Sequence, residues 1–136
     1  MADNEITVIH HLDEVLQRLH SASVAFLHEA SGELESQAKV NTRVDTAQTK
    51  NAWTYRLDER GLVSTIGNPL ENAIWEEFGT GIYALGGRGR RTPWVYRDRR
   101  GRWWTTRGKR GTRAFYRAYR STAPRIRSQI AKRHFR

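Results

Sequence analysis

Asn68-Pro69-Leu70-Glu71-Asn72-Ala73-Ile74-Trp75-Glu76-Glu77-Phe78-Gly79-Thr80-Gly81 is the stretch on which the reading of this chain turns. It sets Ile74, Trp75 and Phe78 beside Glu71, Glu76 and Glu77 and ends on a threonine bracketed by glycines. Up to residue 87 the sequence carries 13 acidic and 6 basic side chains, a net of −7; from residue 88 onward it carries 1 acidic and 18 basic, a net of +17, and the two sum to +10. Such asymmetry points to an anionic partner for the second part, either nucleic acid or an acidic protein surface. All of those basic residues except Lys109 and Lys132 are arginine, whose planar fork grips phosphate or carboxylate in two places and stacks on aromatic rings. The segment Glu71 to Phe78 itself fits a helical face or a short strand equally, with Pro69 and Gly79 compatible with either.

Working outward, the amino-terminal side is dominated by one long pattern. Leu12, Val15, Leu16, Leu19, Ser23, Phe26, Leu27, Ala30 and Leu34 recur at steps of three and four, one stripe of an amphipathic helix, and Asp13 and Glu14 suit its positive end. The helix is expected to reach about Ala38, with Gly32 a bend or an early stop because glycine there costs about 1 kcal/mol relative to alanine. Before it, Ile6, Val8 and Ile9 form a short alternating or lead-in segment. After it, Asn41 to Asn51 reads as a polar loop with a short helical turn capped by Asp45 or Thr46.

Trp53 to Leu57 and Leu62 to Ile66 are β-rich runs joined by Asp58-Glu59-Arg60-Gly61, a hairpin in which the glycine supplies the positive φ. Two strands alone are unstable, so the long helix is expected to cover them. Gly79 to Arg91 holds five glycines and the arginines Arg88, Arg90 and Arg91, a flexible loop. Trp94 to Tyr96 and Trp103 to Thr106 make a second hairpin around Asp98 to Gly101. Phe115, Tyr119, Ile126 and Ile130 mark a basic carboxy-terminal helix, interrupted or restarted near Pro124. With 136 residues and 38% hydrophobic content, the expectation is a single α+β domain over 1–136: a long amino-terminal helix on a small antiparallel sheet, with 79–112 as an extended loop and hairpin arm.

Several function classes find no support in the residues. No run of about 18 apolar residues is present for a membrane span, there is no amino-terminal signal pattern, and the absence of cysteine removes disulfides and thiolate zinc sites. His28-Glu29 opens like a zinc-protease helix, but Gly32 stands where the second histidine belongs. Gly81-Ile82-Tyr83 resembles half of a strand-anchored endonuclease motif whose Tyr-Ile-Gly partner is missing, and Gly108-Lys109 lacks the rest of a phosphate loop. Glu76 and Glu77 are neighbours and point different ways, and no serine sits in a nucleophile elbow. The expectation is a non-enzymatic protein with no catalytic, cofactor-binding or metal-binding residues.

What resists dismissal is the interleaving of Trp94, Tyr96, Trp103 and Trp104 with Arg97, Arg99, Arg100, Arg102 and Arg107. Rings of this kind stack on bases while guanidinium groups hold phosphates, as in a module for single-stranded nucleic acid or RNA. The same pattern fits strands whose aromatics face a core and whose arginines face water. A third use pairs the acidic part of one subunit with the basic part of another.

Ala73-Ile74-Trp75-Glu76-Glu77-Phe78-Gly79-Thr80-Gly81 resembles the signature of the small neck and tail-completion proteins of long-tailed bacteriophages, the family named after the tenth gene product of a lambda-like phage. There a Glu-Phe-Gly-Thr-Gly run precedes a glycine-rich loop, a tryptophan and tyrosine hairpin, and an Arg-x-Phe motif opening the last helix. Trp94-Val95-Tyr96, Arg102-Trp103-Trp104-Thr105-Thr106-Arg107-Gly108 and Arg113-Ala114-Phe115 stand in those places, with Ala114 where proline is usual. Val44-Asp45-Thr46-Ala47 is similar to the family's Val-Asp-Thr-Gly. The resemblance implies an α+β fold and a homo-oligomeric ring in the virion neck, assembled in the host cytoplasm. That ring would join the portal and connector complex to the tail terminator and tail tube, with DNA held non-specifically in its lumen and no membrane involved. Trp75 through Gly81 would then be the core and assembly signature, while the arginines from Arg88 to Arg107 face DNA or neighbouring rings. From the chain's own pattern, Trp75 and Phe78 are expected to anchor the segment on the core, and Glu76 or Glu77 to meet an arginine, within the fold or across a subunit boundary.

Overall fold

The structure, a computed structural model, describes residues 2–43 and 47–136, with side chains described from residue 11 onward except at 47. The fold is α+β. Helix α1 spans Ala2–Asn41, a short α2 spans Ala47–Asn51, and strands β1 (Thr54–Asp58) and β2 (Val63–Gly67) form an antiparallel hairpin. Helix α3 (Glu71–Phe78) and a single 3₁₀ turn (Gly81–Tyr83) lead to a second antiparallel hairpin, β3 (Trp94–Arg97) with β4 (Trp103–Thr106). Helix α4 (Ala114–Arg125) runs through a π-helical turn (Ile126–Ile130) into α5 (Ala131–His134).

Helix α1 carries the fold. At 40 residues it is about 60 Å long, and the β1–β2 hairpin, α4 and α5 all pack on it. Its stripe buries Leu34 and Ala38; Ala38 and Ala118 of α4 are both fully buried and small, which lets the two helices approach closely. Trp53 closes the core: its ring stacks on Phe115 at 5.7 Å, and its Nε1 donates to Thr42 Oγ1 at 2.8 Å. Thr42 Oγ1 in turn donates to the Ala38 carbonyl, so the indole N–H leaves no buried donor unmet. Farther along, Glu33 pairs with Arg125, and Glu29 with Arg133 and His134, while Phe26 meets Phe135. Part of the opposition between acidic and basic halves is thus used within the chain.

Three expectations need correction. The lead-in segment of Ile6, Val8 and Ile9 is helical rather than alternating, because α1 begins at Ala2 and elongation from an established helix adds one hydrogen bond per residue fixed. Gly32 does not stop α1, which continues to Asn41: Ser31 and Leu34 on either side are buried, and their packing outweighs the glycine's cost. In the first hairpin the positive φ belongs to Leu62 (53°), not Gly61. Asp58 Oδ1 accepts from the N–H groups of Arg60 and Gly61, and a Cβ on Gly61 would lie 2.5 Å from Asp58 Oδ2, pressing on the carboxylate that ties the turn. The last helix is interrupted near Pro124, as expected: α4 ends at Arg125 and the chain passes through the wide turn, which carries the fully buried Ile130, before α5 begins. Asp45 and Thr46 as caps, and the Val44-Asp45-Thr46 motif, lie outside the described residues.

Trp53→Ala is expected to cost about 3–5 kcal/mol, a large part of the stability of a domain this size, and to lower the urea midpoint accordingly. Trp53→Phe, which keeps the stacking and loses the N–H, is expected to cost about 1 kcal/mol or a little more.

Candidate functional site: a glycine clasp and an arginine cleft

The Glu-Phe-Gly-Thr-Gly run is where the chain crosses itself. Thr80 N donates to Lys109 O at 2.9 Å, Ile82 N donates to Arg107 O at 3.0 Å, and Lys109 N donates to Thr80 Oγ1 at 2.9 Å. Two glycines make the crossing possible: a Cβ on Gly81 would stand 1.9 Å from Arg107 O, and one on Gly108 would stand 2.1 Å from Thr80 O. Both also have positive φ, 60° and 127°. Residues 79–83 and 107–112 therefore form a backbone clasp, and the hairpin projects beyond it.

Glu77 completes the clasp. Its Oε2 accepts from Phe115 N at 2.9 Å and its Oε1 from Tyr116 N at 3.0 Å, so one carboxylate caps the amino terminus of α4 from another helix. The residue before that helix, Arg113, is left-handed (φ 52°) and supplies no side-chain cap, which leaves those N–H groups for Glu77. Beside it, the Glu76 carbonyl accepts from Thr112 N at 2.6 Å and from Thr112 Oγ1 at 2.9 Å, and the Glu76 carboxylate meets Lys109 Nζ at 2.8 Å. Glu76 Oε2 and Arg113 Nε are buried without a hydrogen-bond partner among the described residues. Neither glutamate side chain pairs with an arginine here: the first finds a lysine and the second a helix end.

The same geometry turns α3 inside out. Its inward face holds Ala73, Glu76 and Glu77; Trp75 and Phe78 are 57% and 51% exposed, and Ile74 is exposed beside them. Trp75 and Phe78 are therefore not core anchors, because α3 is fastened by its caps and backbone and does not need them for burial. The glycine loop is likewise not free from Gly79 onward: Leu85 N donates to Phe78 O, and Gly89 sits against Gly81 and Ala84.

In the second hairpin Tyr96 faces Trp104 and Arg97 faces Trp103 across the ladder. Val95, Tyr96, Trp103 and Trp104 are all exposed, so these aromatics do not face a core. Arginines of the same chain cover the rings instead: Arg90 over Trp94, Arg97 over Trp103 and Arg102 over Trp104, at 5.5–5.9 Å. Asp98 ties the turn, accepting from Arg102 N at 2.8 Å and from Trp104 Nε1 at 2.8 Å. The Trp104 bond, then the Arg102 bond, hold its carboxyl below the ordinary aspartate value.

Between the hairpin tip and the body lies an open cleft of about 790 Å³. Arg43, Thr49, Asn72, Trp75 and Glu76 form one wall, and Tyr96 to Arg100 with Arg102 form the other. Of the residues singled out in sequence, the cleft gathers Trp75, Glu76, Tyr96, Arg97, Arg99, Arg100 and Arg102; Arg91 lies elsewhere, beside Gly81 and Gly89, and Arg107 lends its carbonyl to the clasp. Arg88 is exposed on the loop. Arg43 was not anticipated, since in sequence it is one cation in a polar run. Among the described residues no three His, Asp or Glu side chains converge as metal ligands, and no helix is long and apolar enough to cross a membrane. Comparison of the chain with protein-family models, curated proteins and solved structures finds no match.

Glu77→Ala is expected to destabilise the protein by about 1–2 kcal/mol, and Gly81→Ala by about 1–3 kcal/mol, both read from denaturant midpoints. Because the Asp98 pKa is depressed on folding, its contribution is present above the ordinary aspartate pKa of about 3.9 and is lost as pH falls through the lower folded value. The Trp104 indole N–H resonance is therefore expected to stay constant from neutral pH to about 4 and to move only below that.

Proposed function

We propose that this chain is a structural protein of a bacteriophage virion neck, a ring subunit that joins the portal and connector complex to the tail tube around the DNA channel. The observation that carries the reading is that the separate motifs of the resemblance belong to one construction. The Glu-Phe-Gly-Thr-Gly run, Arg107-Gly108 and Arg113-Ala114-Phe115 meet in the clasp, through the Glu77 cap and the crossing at Gly81 and Gly108. Ala114, at the first position of α4 where the family usually has proline, is buried and suits that position equally well in helix propensity.

The projecting hairpin, the outward aromatic face of α3 and the arginine cleft are surfaces suited to neighbours rather than to a small substrate. A ring needs two different complementary faces on each subunit, and a two-signed charge map serves that need. Arginines left on the lumen side would meet DNA phosphates without reading sequence.

A second reading, a module for single-stranded nucleic acid, draws on the cleft, where Trp75 and Tyr96 stand among arginines. It predicts binding that weakens steeply with salt and is lost in Trp75→Ala.

Purified protein mixed with connector and tail-tube proteins is expected to form rings in negative-stain images, seated on the connector end. No ring and no incorporation at any concentration would overturn the neck reading. Tight, salt-sensitive binding to single strands in their place would favour the second.

A further inference from the structure

The stripe on α1 is one continuous face with two fates. Leu34 and Ala38 are buried by α4 and the first hairpin, yet the same stripe continues through Leu19, Leu16, Val15 and Leu12, each more than 50% exposed. Nothing among the described residues covers that upper portion. An amphipathic face of this kind is stable in water chiefly when another surface lies on it.

A surface of matching character lies on α3, whose backbone fastening leaves its apolar side open. The outward face of α3 presents Ile74, Trp75 and Phe78, and the cleft beside Trp75 holds Arg43, Arg99 and Arg100. On α1, Asp13 stands about 60° around the helix from Leu16, at the border of the apolar stripe. Asp13 makes one border of the stripe acidic, with Arg18 at the same angle beyond Val15 on the other. Along the Asp13 border the helix complements the arginines of a cleft that also holds Glu76 and Asp98, and both apolar faces are open within one chain.

We infer that the upper half of α1 in one copy docks on α3 and the arginine cleft of the next copy. Leu12, Leu16 and Leu19 lie against Ile74, Trp75 and Phe78, and Asp13 faces Arg99 and Arg100. The contact joins two different surfaces, so repetition gives a ring if the rotation closes and a filament if it does not. It rests on the ring reading for its closure, and it assigns the occupant of the cleft as protein rather than nucleic acid.

The chain has no cysteine, so introduced thiols report one contact each. Leu16→Cys and Ile74→Cys variants, one isotopically labelled, are mixed and oxidised, and the disulfide products are weighed by mass spectrometry. The mixed dimer is expected in excess of its statistical proportion. A product dominated by symmetrical Leu16→Cys dimers, or no cross-link in protein whose circular dichroism is native, would overturn the inference.

Reversing charge supplies a second arm. Arg99→Glu with Arg100→Glu is expected to weaken self-association about tenfold, and mixing that variant with Asp13→Arg is expected to recover it. Absence of recovery, with each variant folded, also counts against the contact. A mixed cross-link without incorporation between connector and tail tube would remove the neck role and leave this contact; incorporation without the cross-link would do the reverse.

Discussion

Everything after α3 depends on the Glu77 carboxylate at the amino terminus of α4. It satisfies two N–H groups that the helix cannot satisfy itself, and it does so from a residue 38 positions earlier. That single placement fixes where α4 begins, and through α4 the position of Phe115 against Trp53 and of Ala118 against Ala38. The backbone crossing at Gly81 and Gly108 holds the same junction from the other side, so the hairpin between them is tied at its base by backbone hydrogen bonds.

Fastening a helix by its caps has a cost and a use. Helix α3 spends Ala73 and two glutamates on its inward side, which leaves its aromatic side toward water. In an isolated domain such an arrangement wastes hydrophobic surface; in an assembling subunit it separates the residues that hold the fold from those that meet a neighbour. The charge map follows the same division. Glu29 and Glu33 are consumed by the carboxy-terminal helix, whereas Arg43, Arg99 and Arg100 remain around the cleft.

The α+β class, the long helix and both hairpins were legible because each rests on local periodicity or on a turn signal. The stripe from Leu12 to Leu34 has the helical period, and Asp98 to Gly101 has the turn residues. What local pattern cannot carry is which distant segments meet. Nothing near Glu77 announces that its acceptor oxygens go to Phe115 and Tyr116, and the glycines of 79–81 look like flexibility until those of 108–111 are laid across them. The one signal that could have found the clasp is the presence of two glycine-punctuated segments flanking a hairpin. Trp75 and Phe78 were misread for a related reason: periodicity identifies an apolar face, and it does not say whether the cover for that face belongs to the same molecule.

The wide turn after Pro124 sets the rotational phase of the last helix. Ala114, Ala118, Thr122 and Ile130 are buried and Ile126 is half-buried, all at intervals of four residues, and four residues of ideal α-helix overshoot a full rotation by about 40°. Over sixteen residues that drift would carry Ile130 away from the core side and swing Arg133 and Phe135 off Glu29 and Phe26. A turn with more residues per rotation takes back part of that drift in the last step, from Ile126 to Ile130. The helix thereby returns Ile130 to the side of α1, where the wide turn and α5 both lie against it.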